Sequence, residues 1–310
     1  IYVDDAWLAD NAGSLADADL AKLSKRFEIK IDENPRHFLG MNVHVESHTR
    51  VRLTSEAYIL KMADTYLPDW RSRTKVKLPA DDRLSRAYER AHAREHVVTE
   101  QAVKSYRGKV GALVYTSPCV RVDTCYAISR LSRALTFPTA ELDSLADEVM
   151  LFLAQTASDG LTFDGHAANA ATLTAQCDSD WAVAHSTSGY HSRLAGACVS
   201  HASKRQTCVA SSSTEAEIIA ASACALQVKH FKALLLEMGL PQESVQLDVD
   251  NDGAVELSRD RKSCHRSRHV DRRYFKVREL TFEGVLHVER IDTKENAADL
   301  LTKALPEEAF

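Results

Sequence analysis

Apolar residues recur along the chain at two periods, and the change from one to the other divides it. Up to about residue 155 the spacing is mostly helical. Leu20, Leu23 and Phe27 lie at i, i+3 and i+7 behind Ser14, a capping residue type. Ile59, Met62 and Tyr66 form a second stripe, opened by Ser55 and stopped near Pro68. Three more stripes follow: Val103, Tyr106, Val110 and Leu113 behind Thr99; Ile128, Leu131 and Leu135 behind Asp123; and Leu142, Leu145, Val149 and Phe152. Such stripes are core-forming faces and carry no chemistry of their own. Residues 1–12 read as strand, turn, strand, and Phe38-Leu39-Gly40-Met41 with Val43-His44-Val45 as turn and strand. Residues 71–100 are charge-rich with little periodicity and read as a surface linker. Asp159-Gly160 and the Ala-rich stretch 164–172 read as a separator.

From residue 173 the pattern shortens to strands. Residues 173–177 lead into Asp178, 189–200 read as a second strand, and 206–210 as a third. Ser213 then caps a long helix ended by Gly239 and Pro241, and Ser213 with Glu215 to Glu217 resembles a capping box. Residues 245–249 form a strand ending at Asp250. A short helix, a basic helix, the strand 285–288 and a last helix after Lys294 complete the order. Three strands, helix, strand, helices, strand, helix predict a mixed α/β fold, with helices on a mixed sheet.

A chain of 310 residues has room for two domains and a sizeable core. Its 45% hydrophobic and 27% charged residues are ordinary for a globular protein. No apolar run approaches ~18 residues, so no membrane span is expected. Seven cysteines without a C-x-x-C pair favour free thiols over a disulfide framework. His191, Cys198, His201 and Cys208 invite a zinc reading, but in a strand Cys198 and His201 would point to opposite faces. The formal charge of −5 means that any phosphate binding is local. One such place exists: residues 259–278 hold nine Lys/Arg against Asp260 and Asp271. Arg266, Arg268, Arg272, Arg273 and Lys276 would spread around a helix there, anchored to the core by Tyr274 or Phe275.

The candidate chemistry lies in four carboxylates at strand ends and helix starts: Asp178, Glu217, Asp250 and Asp299, separated by 39, 33 and 49 residues. Taken singly, each has a plainer role in turn or capping chemistry. Together, in this order and beside a basic helix, they fit a site for two divalent ions, which needs oxygen ligands from separate elements. The paired Asp4 and Asp5 in the first hairpin are turn chemistry or the metal ligands of a palm-type polymerase site, which needs another carboxylate from an earlier strand.

Tyr2-Val3-Asp4-Asp5, Phe38-Leu39-Gly40, Tyr106-Arg107 with Gly111-Ala112-Leu113-Val114-Tyr115, and Ile128-Ser129-Arg130-Leu131-Ser132-Arg133 resemble the polymerase-to-connection region of copia-type LTR retrotransposon polyproteins. Asp178-Ser179-Asp180-Trp181-Ala182, Ser186-Thr187-Ser188-Gly189-Tyr190, Ser212-Ser213-Thr214-Glu215-Ala216-Glu217, Arg268-His269-Val270-Asp271 and Leu301-Thr302-Lys303-Ala304-Leu305-Pro306 resemble the ribonuclease H that follows it. The resemblance implies the end of a truncated palm and thumb over 1–80, a helical connection over 81–172 and a ribonuclease H-like domain over 173–310. It implies an enzyme that cleaves the RNA strand of RNA–DNA hybrids with two Mg2+ ions, for which Mn2+ can substitute. Asp178, Glu217, Asp250 and Asp299 would be the catalytic metal ligands, Asp180 and Glu215 neighbours only, and Asp4 and Asp5 a polymerase remnant. The partners implied are the hybrid and the upstream part of the polyprotein, with no membrane. The setting implied is the cytoplasm, within virus-like particles, or the nucleus.

The sequence departs from that pattern in places. The turn between Ala182 and Ser186 is short, and Asp147 to Gln155 are acidic or apolar where relatives tend to be basic. The loop Ile291-Asp292-Thr293-Lys294-Glu295 lacks the histidine of cellular ribonucleases H, for which His269 is a candidate auxiliary. With the first hairpin at the chain's start, a processed or truncated product is expected, and no DNA synthesis by this chain alone. The alternative is a decayed or host-retained fragment that binds nucleic acid or a partner. An integrase or transposase is disfavoured by the Asp-Glu-Asp-Asp order.

Overall fold

The computed structural model describes Leu8 and residues 14–93, 97–182, 185–259 and 271–310, with backbone alone for 14–15 and 271–275. Asp4, Asp5, Arg266, Arg268 and His269 lie outside the described residues. The mixed α/β class is borne out, and the described residues form two sheets and two hydrophobic cores.

The first core is helical. It gathers α2 (Glu56–Tyr66), α3 (Asp82–Ala93), α4 (Glu100–Cys119), α5 (Cys125–Ser132) and α6 (Ala140–Gln155) around Ile59, Tyr106, Leu113, Leu131 and Leu153. The stripes of α4 and α6 are as read from the sequence; in α2 Ile59 and Met62 are buried but Tyr66 is exposed, and Leu135 of the third stripe lies beyond α5. Thr99 Oγ1 accepts from the Ala102 amide at 3.2 Å and so caps α4, a contact worth ~1 kcal/mol. Helix α1 (Ser14–Ser24) also forms, but Leu23 and Phe27 of its stripe are exposed.

Several expectations change here. The supposed linker 71–100 contains α3, whose Leu84, Ala87, Tyr88 and Ala91 are buried. Alanines supply half of that stripe, and they are weak markers of periodicity among so many charges. Asp123 does not cap α5; it lies in a 3-10 turn and pairs bidentately with the fully buried Arg121. The separator near residue 160 holds β4 (Gly160–Asp164). This strand closes an antiparallel sheet in the order β1 (His37–Phe38), β2 (Met41–Ser47), β3 (Arg50–Thr54), β4.

The second sheet runs β7-β6-β5-β8-β9, from β5 (Thr174–Asp180), β6 (Thr187–Leu194), β7 (Ala197–Arg205), β8 (Val245–Val249) and β9 (Leu286–Arg290). β5, β6 and β7 are antiparallel, and β8 and β9 run parallel to β5. This is the mixed sheet expected of the second half of the chain. The stretch 189–200, read as one strand, is the hairpin of β6 and β7, turned by Ala195 and Gly196 at positive φ. The expected strand at 206–210 is a loop. A register shift in β6–β7 brings Cys198 and His201 to the same side, with Sγ 3.9 Å from Nδ1, against the alternation expected of a regular strand.

Helix α7 (Ser213–Glu237) lies on β5 and buries Ala216, Ile218, Cys224 and Val228. By length and composition it could cross a membrane, but here it covers the sheet. Its cap is Ser212, not Ser213: Ser212 Oγ accepts from the Glu215 amide, and Glu215 Oε2 accepts from the Ser211 amide. The capping box is thus shifted one residue, which frees Glu217 for other contacts. Helices α8 (Asp252–Arg259) and α9 (Asp271–Phe282) pack beside α7, with Val277 and Leu280 of α9 buried. The last helix expected after Lys294 is a pair of 3-10 turns, Thr293–Glu295 and Ala297–Leu301.

Candidate active site

Alternation along β5 sends Ala175, Cys177 and Ser179 toward α7, and Gln176, Asp178 and Asp180 to the other face. The C-terminal turn crosses that second face. Asn296 ties it down: its Nδ2 donates to the Cys177 carbonyl at 3.0 Å, and the Ala297 amide donates to Gln176 Oε1 at 3.1 Å. Asp299 follows in the same turn and comes to Asp178. Asp250 reaches them from the end of β8, the parallel neighbour of β5. One carboxylate oxygen from each of Asp178, Asp250 and Asp299 lies within 4.8 Å of the others.

Glu217 stands beside this group rather than in it. Its Oε1 accepts from the Ser179 amide and hydroxyl, both at 3.1 Å. Ser179 faces α7, so Glu217 approaches from the opposite side of β5. Burial first, then the Asp178 and Asp250 charges, push its carboxyl up to about 9. Burial likewise pushes Asp178 up to about 7, against a hydroxyl bond from Thr302 that favours the charged form. The Asp299 charge adds to that upward shift and the Lys303 charge opposes it.

Two buried carboxylate oxygens, Glu217 Oε2 and Asp299 Oδ1, have no hydrogen-bond partner. Among the described residues the cation paired with this cluster is Lys303, whose Nζ lies 2.8 Å from Asp299 Oδ2. One ammonium is too little counter-charge for four carboxyl groups to ionise together, and Asp178 and Glu217 are raised accordingly. An all-oxygen donor set with unpartnered lone pairs suits a hard divalent cation. The residues therefore fit such an ion, and Asp178, Asp250 and Asp299 could hold one.

Other candidates fall elsewhere. Asp180 is half-buried and accepts from the Thr187 amide across the β5–β6 pair, a local role consistent with its reading as a neighbour. Arg272 and Arg273 sit in the first turn of α9, with side chains outside the described residues. Lys276 pairs with Glu279 at 3.1 Å on the surface. Val277 and Leu280 anchor α9, and the expected anchors Tyr274 and Phe275 also have side chains outside the described residues. Burial pushes His191 down to about 4, and it is held by Gln176 Oε1 at 3.0 Å, which makes it a core histidine. The sequence reading assigned no role to Ser179, Asn296, Thr302 or Lys303. The motif Leu301-Thr302-Lys303 was visible, but only folding shows that it lies against Asp178.

No family model matches the chain. It is 30% identical over 315 residues to the retrovirus-related Pol polyprotein from transposon TNT 1-94 of Nicotiana tabacum, covering 100% of this chain and 23% of that polyprotein. It is also 30% identical over 315 residues to the retrovirus-related Pol polyprotein from transposon RE1 of Arabidopsis thaliana, covering 100% of this chain and 21% of that one. The chain thus spans less than a quarter of the length of these curated relatives. Among solved structures, LC11-RNase H1 in complex with an RNA/DNA hybrid is 16% identical with a TM-score of 0.35, covering 42% of this chain and 94% of that one.

Proposed function

The chain belongs to the copia-type retrotransposon Pol polyproteins, and on that premise we propose that its second sheet is a ribonuclease H that cleaves the RNA strand of RNA–DNA hybrids. The observation that carries this reading is the convergence of Asp178, Asp250 and Asp299 within 4.8 Å, with unpartnered oxygens on Asp299 and the adjacent Glu217. The division at about residue 172 is supported by the two separate cores.

Divalent ions at such a site would activate water and stabilise the leaving oxygen of a phosphodiester. The chain's own residues do the positioning. Asp178, Asp250 and Asp299 supply oxygens from three elements, and Ser179 holds Glu217 beside them. Thr302 keeps Asp178 ionisable through its hydroxyl bond. Lys303 must release Asp299 Oδ2 for that oxygen to ligate an ion. Selection of the RNA strand would use 2′-hydroxyls and groove shape, and the basic segment 259–278 would follow a phosphate strand.

The test is cleavage of a labelled RNA–DNA hybrid by the purified chain in Mg2+. The wild type is expected to cut the RNA strand, and Asp178→Asn to lose cutting while keeping its far-UV circular dichroism and its unfolding temperature. An inert wild type, or an active Asp178→Asn, refutes the reading.

A further inference from the structure

The motif Ile128-Ser129-Arg130-Leu131-Ser132-Arg133 takes no part in the chemistry above, yet α5 is bonded to the second sheet at two rungs. Ser129 Oγ donates to the Ser203 carbonyl at 2.9 Å. Ser203 pairs with Gly189, and Gly189 pairs with Asp178, so this bond holds the far end of the rung that carries Asp178. Arg133, the C-cap of α5, donates from Nη2 to Thr187 Oγ1 at 3.3 Å. Thr187 pairs with Asp180, and its amide donates to the Asp180 carboxylate. Ser129 and Arg133 are four residues apart, hence on one face of the helix. Asp178 and Asp180 are two residues apart, hence on one face of the strand. The spacing of the helix thus matches alternate rungs of the sheet.

Arg133 is an expensive choice for simple packing. It is mostly buried, and burial together with the nearby Arg130 charge pulls its guanidinium down to about 10. A buried cation kept at that cost needs a contact that an apolar side chain could not make.

We propose that Ser129 and Arg133 are positioning residues: α5 clamps the β5–β6–β7 rungs and holds Asp178 in register with Asp250 and Asp299. The helical region is then part of the nuclease rather than a spacer before it. This inference rests on the metal-site reading given above.

Charge and position make opposite predictions for Arg133. Removing a positive charge near an acidic cluster strengthens cation binding if electrostatics alone is at work. Loosening the rung weakens it. The experiment compares the full chain with Arg133→Met, Arg133→Lys and Ser129→Ala. Mn2+ affinity is read by electron paramagnetic resonance, and amide hydrogen exchange at Asp178, Gly189 and Ser203 is compared with Leu247 and Val249 in β8. Arg133→Met is expected to bind Mn2+ about five- to tenfold more weakly, the size of one ordinary hydrogen bond. Exchange at the three rung amides should rise by a similar factor while β8 is unchanged. Arg133→Lys, which keeps a donor for Thr187, should recover most of the affinity. Equal or tighter Mn2+ binding by Arg133→Met overturns the clamp. Should Arg133→Met not fold, Ser129→Ala decides: unchanged exchange at Gly189 and Ser203 overturns it. A wild type that binds no Mn2+ refutes the metal reading instead, and rung exchange alone then judges the clamp.

Discussion

Gly189 leaves no room for a β-carbon beneath Thr302: one built there would stand 2.7 Å from the threonine methyl, and equally close to Leu301. The glycine lets the C-terminal turn press onto the sheet directly across from Asp178, its partner in the β5–β6 register. Two separate motifs of the sequence, Ser186-Thr187-Ser188-Gly189-Tyr190 and Leu301-Thr302-Lys303, are one contact in the folded chain.

Gly189→Ala should therefore lift that turn and carry Asp299, Thr302 and Lys303 away from Asp178. Overpacking of this kind costs ~1–3 kcal/mol of stability. Metal affinity should fall with it. Thermal unfolding and Mn2+ titration check both, and a variant with normal metal affinity would show that the turn tolerates the shift.

Stability of the metal-free protein should fall as pH rises. Asp178 and Glu217 are raised to about 7 and about 9, above their unfolded values, so the folded state holds more protons. Between the ordinary carboxylate range and about 9, folding then weakens with each step in pH. Taking both groups together, the loss from pH 5.5 to 8.5 is on the order of 6 kcal/mol, about two thirds of it from Glu217. Urea unfolding in EDTA at the two pH values measures it. Glu217→Gln should be more stable than wild type at pH 8.5 and show a flatter dependence, and Mg2+ should offset the wild-type loss. An identical slope in Glu217→Gln would remove Glu217 from the account.

Thr302→Val removes the hydroxyl that favours the charged form of Asp178. The Asp178 carboxyl then rises further, and protons compete better with metal. Mn2+ binding at pH 7 should weaken by roughly three- to tenfold, with the deficit shrinking toward pH 9. Calorimetric titration at both pH values tests this. A deficit independent of pH would point to lost geometry rather than proton competition.

Replacing Arg268 and Arg272 by Ala should weaken hybrid binding and reduce its salt dependence by roughly one to two counterions. Metal binding should not change. An unchanged salt slope would mean that other residues hold the hybrid.

Much of the site could be read before folding was known. The order Asp178, Glu217, Asp250, Asp299 is in the sequence, but its patterns place Asp178 just after a strand and Asp299 in a helix, whereas they lie inside β5 and a 3-10 turn. The helical stripes of α4 and α6 were legible, because large apolar residues recur there at helical spacing. Less legible were α3, whose buried face is half alanine, and β4, a short strand that exists because β3 offers it an edge. Strand pairing depends on a partner far along the chain, Leu161 for Leu53, and no local pattern reports it.

The sequence by itself determined the types of the elements and the carboxylates they carry, since propensity, periodicity and capping act over a few residues. Tertiary structure alone decided how the carboxylates divide. Asp178 points from β5 toward the last turn, where Asp250 and Asp299 meet it, while Glu217 comes from the α7 face and is held by Ser179. It also decided that Thr302, Lys303 and the clamp residues Ser129 and Arg133 lie near them. The physical reason is that alternation along a strand fixes two faces, but only the packed sheet determines which helix or turn covers each face.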